Sequence, residues 1–351
     1  MSARKGWLAA ALVVVAAMAA LAGFGGEPAG AKKAAGGAAA PAPRLDLSEP
    51  IAHENLTLFM VYGPDRVKGG EFLTLKEAMD AKLVVVHETG NVGELTIQNT
   101  GDKPVYIQSG EIVKGGRQDR TLQWDMLLPP KSDKLPIRSF CVESGRWSQR
   151  GGENPAQFGS ADKMLATKEL KLAARSKGDQ GEVWKEVANA QKKLSDSTGT
   201  NVAAPQSASS LQLALENKDV QAKVGEFVKK LSAAPRGERN TIGFAFAING
   251  KVNSIDVYGN AALFAKLWPK LLEAAATEAV AKQQKDAKFS AARAADVQAL
   301  VDEAARAKAE DKDIATGTKA RVRENDKAAY YGTRAPAAAA EASVHESYIK
   351  K

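Results

Sequence analysis

The sequence predicts an α+β protein: an antiparallel β-rich N-terminal half, as a sheet or small sandwich, packed with a helical half that contains a β-hairpin. Three observations lead there. Between residues 45 and 152, short runs of strand-forming residues recur at close spacing, separated by turn residues. Beyond residue 152 the apolar positions fall three and four apart, the spacing of a helix face. Inside that second half, residues 241–258 revert to strand. There I-G-F-A-F-A-I and K-V-N-S-I-D-V-Y flank Asn249-Gly250, the dipeptide favoured in type I′ hairpin turns.

In chain order, the first segment lies outside the fold. Arg4 and Lys5 precede an uncharged run, residues 7–24, and Ala29-Gly30-Ala31 is a small-residue cleavage site. This arrangement predicts a secretory signal peptide over residues 1–31 and an exported mature protein, periplasmic or extracellular. Left uncleaved, the run of about 18 residues would be just long enough to anchor the chain in a bilayer. Residues 32–44, K-K-A-A-G-G-A-A-A-P-A-P-R, hold no large apolar side chain and predict a flexible tether. Residues 45–351 are then one folded domain, β-rich over 45–152 and helix-rich over 153–351.

Within that domain, the run L-T-L-F-M-V-Y at 56–62 is a strand closed by Gly63-Pro64-Asp65. Thr74 with Glu77 is a capping box, so a short helix follows to residue 81. Strands are expected at 83–88, 94–99 and 105–109. Leu122, Trp124, Met126 and Leu128 alternate with polar residues, which predicts one half-buried strand. Pro129-Pro130 turns the chain, and 135–143 is the next strand. The helical half is expected to open with a helix over 161–174. Asp179 and Glu182 cap a second helix, with Val183, Trp184, Val187, Ala188 and Leu194 on one face. A polar loop over 195–210 leads to a helix marked by Val220, Val224, Phe227, Val228 and Leu231. After the hairpin, residues 263–272 give a helical face in which Pro269 is a first-turn residue or a kink. A more solvated helix is expected over 291–309, and two β-prone pieces, 319–322 and 343–349, end the chain.

Composition excludes several function classes. The formal net charge is +8 in 351 residues, with 26% charged and 44% hydrophobic. No block of Lys and Arg is interleaved with aromatics, so specific nucleic-acid binding is not supported. Removing Arg4, Lys5 and Glu27 with the leader takes off one net positive charge, and the remainder would favour weak adhesion to anionic surfaces. His53, His87 and His345 are the only histidines, and none has H-x-x-x-H or H-E-x-x-H spacing, so no metal site is predicted. His345 with Glu111 and Glu143 is a conceivable metal grouping that no spacing supports. The sequence has no G-x-S-x-G, no P-loop and no G-x-G-x-x-G after a strand, and no cofactor is expected.

The residues with most chemical promise lie between 105 and 147. Cys141 is the single cysteine and cannot form an internal disulfide. It is a buried structural thiol, an intermolecular partner or a reactive group. Strand alternation puts it with Ile137, Ser139 and Glu143, on the more polar side, near Arg138 or Arg146. A positive neighbour would favour the thiolate. Cys141 to Arg146 has the length of a rhodanese loop, but no helix follows it. The phosphatase spacing fails because its arginine position is Trp147. The glycine-rich loop 114–120, K-G-G-R-Q-D-R, could bind an anion through its amides and the forks of Arg117 and Arg120.

Several linked motifs together resemble the ARG and rhodanese-phosphatase-superfamily-associated protein domain. They are Gly110-Glu111, Gly116-Arg117-Gln118-Asp119-Arg120, Leu128-Pro129-Pro130, Cys141-Val142-Glu143 and Gly145-Arg146-Trp147. Gly181-Glu182-Val183-Trp184-Lys185, the hairpin at 242–256, the stretch 264–272 and Val344-His345 also fit, so the resemblance covers roughly residues 56–348. It implies one continuous folded unit. It implies no activity, because the family name records neighbourhood with other domains.

The functional expectation is therefore an exported domain that binds a small anionic ligand or an envelope partner. Arg120 and Arg146 would hold the anion, Glu111 and Glu143 would orient it, and Arg117, Gln118 and Trp147 would line the same site. Two rivals stand beside it: a cysteine-dependent hydrolase or transferase with Cys141 as nucleophile and Glu143 as base, and a structural envelope protein held by its basic surface.

Overall fold

The computed structural model describes residues 42–67, 71–235, 239–284, 287–315, 317–334 and 342–351. The expected signal peptide and most of the expected tether lie outside them. Among the described residues, no helix is long and apolar enough to cross a membrane.

The chain enters through β1 (Asp46–Leu47) and β2 (Ile51–His53), which both pair antiparallel with β3 (Leu56–Tyr62). The nearly unbroken apolar run of β3 is explained by burial on both faces. After β4 (Leu73–Thr74), α1 (Leu75–Asp80) starts at the expected capping box. Glu77 N donates to Thr74 Oγ1 at 3.2 Å, and Thr74 N donates to Glu77 Oε2 at 2.8 Å. Eight strands follow: β5 (Val84–Asn91), β6 (Glu94–Asn99), β7 (Val105–Ile107), β8 (Glu111–Gly115), β9 (Arg120–Leu122), β10 (Met126–Leu128), β11 (Leu135–Cys141) and β12 (Gln157–Met164).

Six of them close an antiparallel barrel in the order β11-β6-β5-β12-β8-β9. Its filling follows the period-two rule: Val84 and Val86, Leu95 and Ile97, Val113, Leu122, Ile137 and Phe158 meet inside. The other strands of this region, β10, β7 and β4, make a separate small sheet in which β4 and β7 run parallel.

Two sequence expectations are corrected here. Residues 122–128 are not one strand, because Leu122 ends β9 in the barrel while Met126 begins β10 in the small sheet. The polar residues between them bond sideways: Gln123 Nε2 donates to Ala174 O at 3.0 Å, and the Asp125 carboxylate accepts from Ser109 N at 2.7 Å. Nor is 161–174 a helix. Its first residues belong to β12, whose pairing with β5 and β8 closes the barrel. Helix begins only at α2 (Lys168–Leu172), capped by Thr167, and widens into a π turn over Ala173–Lys177 that stops at Gly178 (φ 61°). The β-rich region thus runs past residue 152.

The helices α3 (Gln180–Thr198), α4 (Leu211–Leu215) and α5 (Lys218–Leu231) come next, capped by Asp179, Ser210 and Asn217. The hairpin is β13 (Thr241–Ile248) and β14 (Lys251–Tyr258); Asn249 (φ 53°) and Gly250 (φ 73°) take the left-handed turn that this dipeptide favours. Helix α6 (Ala261–Ala281) is longer than its expected face and carries Pro269 in its interior. Helix α7 (Ala294–Ala305) is shorter than expected. Among the described residues the tail holds four strands rather than two: β15 (Ala309–Ala315), β16 (Thr318–Glu324), β17 (Ala328–Arg334) and β18 (Ser343–Lys350).

These join β1–β3 and the hairpin in a nine-stranded sheet, ordered β1-β3-β13-β14-β18-β17-β16-β15 with β2 beside β3. One face carries Leu58, Met60, Phe244 and Phe246 against α3, α5 and α6. The same cluster takes in Ile112 and Phe140 from the barrel wall. The opposite face carries Phe59, Val61, Ile255 and Val257 under Val297, Leu300 and Val301 of α7. The described chain is one compact α+β unit built on these shared cores.

Candidate functional site

Strands β9 and β11 are antiparallel neighbours with Arg120 opposite Cys141. The loop that leads into β9 and the loop that leaves β11 therefore emerge at the same end of the barrel. Gly115 (φ 111°) and Gly116 (φ 53°) turn the first loop, and a Cβ on Gly116 would lie 2.3 Å from the Phe158 ring. Both conditions demand glycine there.

The two loops are tied by a buried ionic network. Glu143 Oε1 and Oε2 accept from Arg146 Nε and Nη2, both at 2.7 Å, in a bidentate fork. Arg150 makes a second fork onto Asp119, with both bonds at 2.9 Å, and adds Glu143 at 3.2 Å and Glu153 at 2.9 Å. Backbone groups complete it: Asp119 N donates to Glu143 Oε2 at 3.0 Å, Gly115 N to Asp119 Oδ1 at 3.0 Å, and Arg146 Nη2 to Gly115 O at 3.2 Å. Ser210 Oγ, at the cap of α4, donates to Asp119 Oδ2 at 2.9 Å. Burial opposes the charged form of Glu143, but the Arg146 fork outweighs it and holds this carboxyl below its usual range. Arg150 is likewise opposed by burial, yet Asp119 and Glu153 raise it above the ordinary arginine value.

Arg117, Gln118, Arg120, Cys141, Glu143, Arg146 and Trp147 do come together at one barrel end. Gln118 Nε2 donates to Glu143 O at 2.9 Å. Glu111 does not join them. It lies in a groove near α6, where its Oε1 accepts from Lys270 Nζ at 2.8 Å and its Oε2 from Gln108 N at 2.9 Å. Arg146 is not open to an external anion, because its guanidinium is spent on the Glu143 carboxylate inside the protein. Arg120 is fully enclosed; its Nη1 donates to Gln118 O at 3.0 Å, Glu88 lies 3.6 Å from Nη2, and Nε and Nη2 make no hydrogen bond among the described residues. Arg117 is different. Its side chain is exposed, has no ion pair among the described residues, and lies 5.4 Å from the ring centre of Trp147, which is 43% exposed. Arg120 lies 5.7 Å from the same ring, so Trp147 is within reach of an enclosed guanidinium and an open one.

Cys141 shares the strand face of Ile137, which points into the barrel, and not a polar outer face. The cysteine is fully buried. Burial pushes its thiol up to about 11, although Arg120 pulls the other way. At pH 7 that leaves a thiolate fraction on the order of 10⁻⁴. This is the environment of a packed cysteine.

Sequence reasoning missed Arg150, Glu88 and Ser210. A signal for Arg150 was present in the polar G-R-W-S-Q-R-G-G stretch, but nothing local pointed to Asp119 as its partner. It also missed a second ionic centre. His345 is buried between Asp125, 2.9 Å from Nδ1, and Asp256, 3.1 Å from Nε2, and has no contact with Glu111 or Glu143. Arg175 lies 3.2 Å from Asp125, and Thr333 Oγ1 donates to it at 2.7 Å. Burial would discharge His345, but the two carboxylates overcome this and raise it to about 9. Among the described residues, no group of three His, Cys, Asp or Glu side chains could hold a metal ion.

A six-stranded barrel on a helix-covered nine-stranded sheet, with a closed ionic network at the barrel end, defines the class of domain. The chain belongs to the ARG and rhodanese-phosphatase-superfamily-associated protein domain family, whose profile matches residues 44–349. No curated protein and no solved structure matches the chain.

Proposed function

We propose that this is an exported binding domain that engages an anionic ligand or partner at the Arg117–Trp147 surface. One observation carries the reading: Arg117 keeps its charge open to solvent, beside a half-exposed tryptophan, on a loop pinned from beneath by the buried network. Arg146 and Arg150 hold the loops in place, so the surface is organised before any ligand arrives and less ordering entropy is lost on binding. Trp and Arg are the side chains most often found at binding hot spots. The 144–150 loop also borders an open basin of about 750 Å³, where Ser144 and Ser148 offer hydroxyls to the polar part of a larger ligand.

The Cys141 nucleophile is not favoured, because the thiol is enclosed and held protonated. The test is a fluorescence titration of the full domain with citrate and with a hexaglutamate peptide at low salt. A saturable change is expected, weakened about tenfold or more in Arg117→Ala, absent in Trp147→Phe, and diminished as salt rises. A wild-type response that never saturates, or that survives unchanged in Arg117→Ala, would remove the proposal.

A further inference from the structure

A second site is written into the register of the C-terminal strands. On β16, β17 and β18 the antiparallel pairing sets Arg323 beside Tyr330 and Tyr330 beside Tyr348. Two residues along, Arg321 stands beside Gly332 and Gly332 beside Glu346; after a bulge, Arg334 stands beside Ser343. Alternation puts this grid on the sheet face that α7 covers, and Tyr330 and Tyr348 pack in that core. Helix α7 does not cover the whole grid. Beyond Ala304 and Ala305 lies a pocket of about 190 Å³ whose polar walls are the grid residues and whose rim includes Pro43.

Gly332 makes the room. A Cβ there would lie 2.3 Å from Tyr330 Oη, so the phenol occupies the space a side chain would fill. The cations are not matched by the acids. Glu346 is engaged by Arg66 at 3.3 Å, and Asp311 by both nitrogens of the Arg321 fork at 2.8 and 2.9 Å. Arg323 donates to the carbonyls of Ala305 and Ala307, at 2.8 and 3.5 Å, and has no carboxylate partner among the described residues. The Arg334 guanidinium has no hydrogen bond or ion pair among them, and its Nε is enclosed. An enclosed guanidinium nitrogen without an acceptor is costly, and a bound anion would supply the acceptor.

We infer that this pocket, lined by Arg323, Arg334, Ser343 and the phenols of Tyr330 and Tyr348, binds a small dianionic oxyanion of the phosphate type. Among the described residues neither guanidinium has a carboxylate within hydrogen-bond reach, though Asp311 lies in the field of Arg334, and their two charges call for a dianion; the hydroxyls, with Tyr330 bonded to Ser343, add donors of the right kind. The pocket is below the size of ordinary drug-sized ligand sites, which sets the limit at a phosphate group or its short ester rather than a nucleotide. The site is separate from the Arg117–Trp147 surface and does not rest on it.

The test titrates the full domain with inorganic phosphate and, in parallel, with phosphoethanolamine, following heat release and phosphorus NMR line width at constant ionic strength. Saturable binding is expected. Arg334→Gln should weaken it by about tenfold or more, whereas Lys192→Ala, at an exposed ion pair on α3, should leave it unchanged. Equal affinity for the two probes assigns the free ion; preference for the ester assigns a phosphorylated group. If Arg334→Gln does not fold, Arg334→Lys, which keeps the charge but loses the fork, should still weaken binding. Phosphate binding that is absent, matched by chloride, or unchanged in the Arg334 variants overturns the assignment.

Discussion

Glu143 sits at the crossing of three loops, and its removal tests the barrel-end network most directly. Its two oxygens serve Arg146, Arg150 and the amide of Asp119. Glu143→Ala strips the nearly enclosed Arg146 of its carboxylate fork and takes one of the three carboxylates from Arg150, so it should cost about 3–5 kcal/mol in urea unfolding; a loss under about 1 kcal/mol would mean that the network is solvated and weak. His345 makes the complementary case for pH. Its proton-binding constant is raised on folding, from the ordinary 6.5 to about 9. The stabilisation it provides is therefore complete below pH 6.5 and is lost as pH rises through 9, a change of about 3 kcal/mol. Asp125 and Asp256 carry the opposite sign: both are held below the usual carboxylate range, so their contribution is lost only on acidification below about pH 4. Unfolding midpoints measured at pH 6 and pH 9.5 should fall for the wild type and stay level for His345→Gln. A wild-type midpoint flat over that range would show that His345 is neutral in the native protein.

At the scale of elements, Pro269 stands inside α6, where it supplies no N–H to the carbonyl of Ala265 and crowds the preceding turn. The helix survives because Leu263, Phe264, Leu267, Trp268, Leu271 and Leu272 are all buried beneath it. Pro269→Ala should raise stability by about 1–3 kcal/mol in thermal or urea unfolding; an unchanged or lower midpoint would mean that the groove holding Lys270 and Glu111 depends on the proline ring. The same element shows what a sequence discloses. The apolar face at 263–272 was legible, as were the capping box at Thr74 and the Asn249-Gly250 turn, because each is set by neighbours in sequence. Residues 161–164 look helical in sequence because nothing local records that β5 and β8 need a partner to close a barrel. Strand β15, A-E-D-K-D-I-A, was invisible because an exposed edge strand has no apolar face to betray it. The candidate site divides the same way. Arg117, Gln118, Arg120, Glu143, Arg146 and Trp147 were recognisable as one polar neighbourhood, but their pairing was not. Which arginine is spent on Glu143 and which remains open depends on Asp119, Arg150 and Ser210, which only the fold brings to it.

Across the whole molecule, the barrel and the large sheet have no separate interiors. One core cluster contains Ile112, Phe140 and Met164 from barrel strands together with Leu58, Met60, Phe244 and Phe246 from the sheet, and α3, α5 and α6 fill the space between. The second tie is ionic: Asp125, between β9 and β10, meets His345 on β18 and Thr333 on β17. Opening the barrel alone would expose the shared apolar cluster and separate a buried ion pair from its partner, so neither half gains by unfolding first. The molecule should therefore unfold as one cooperative unit, and Cys141 is the built-in reporter. Its thiol is enclosed within the barrel, opposite Arg120, so alkylation must wait for the barrel to open. In native buffer, labelling should be at least about a thousandfold slower than in urea-unfolded chain. As urea is added, the labelling rate should rise along the same transition as the loss of far-ultraviolet circular dichroism and the change in tryptophan emission. Labelling that runs ahead of those two signals would show a barrel that opens on its own. Rapid labelling in native buffer would place the thiol within reach of solvent and return Cys141 to consideration as a nucleophile.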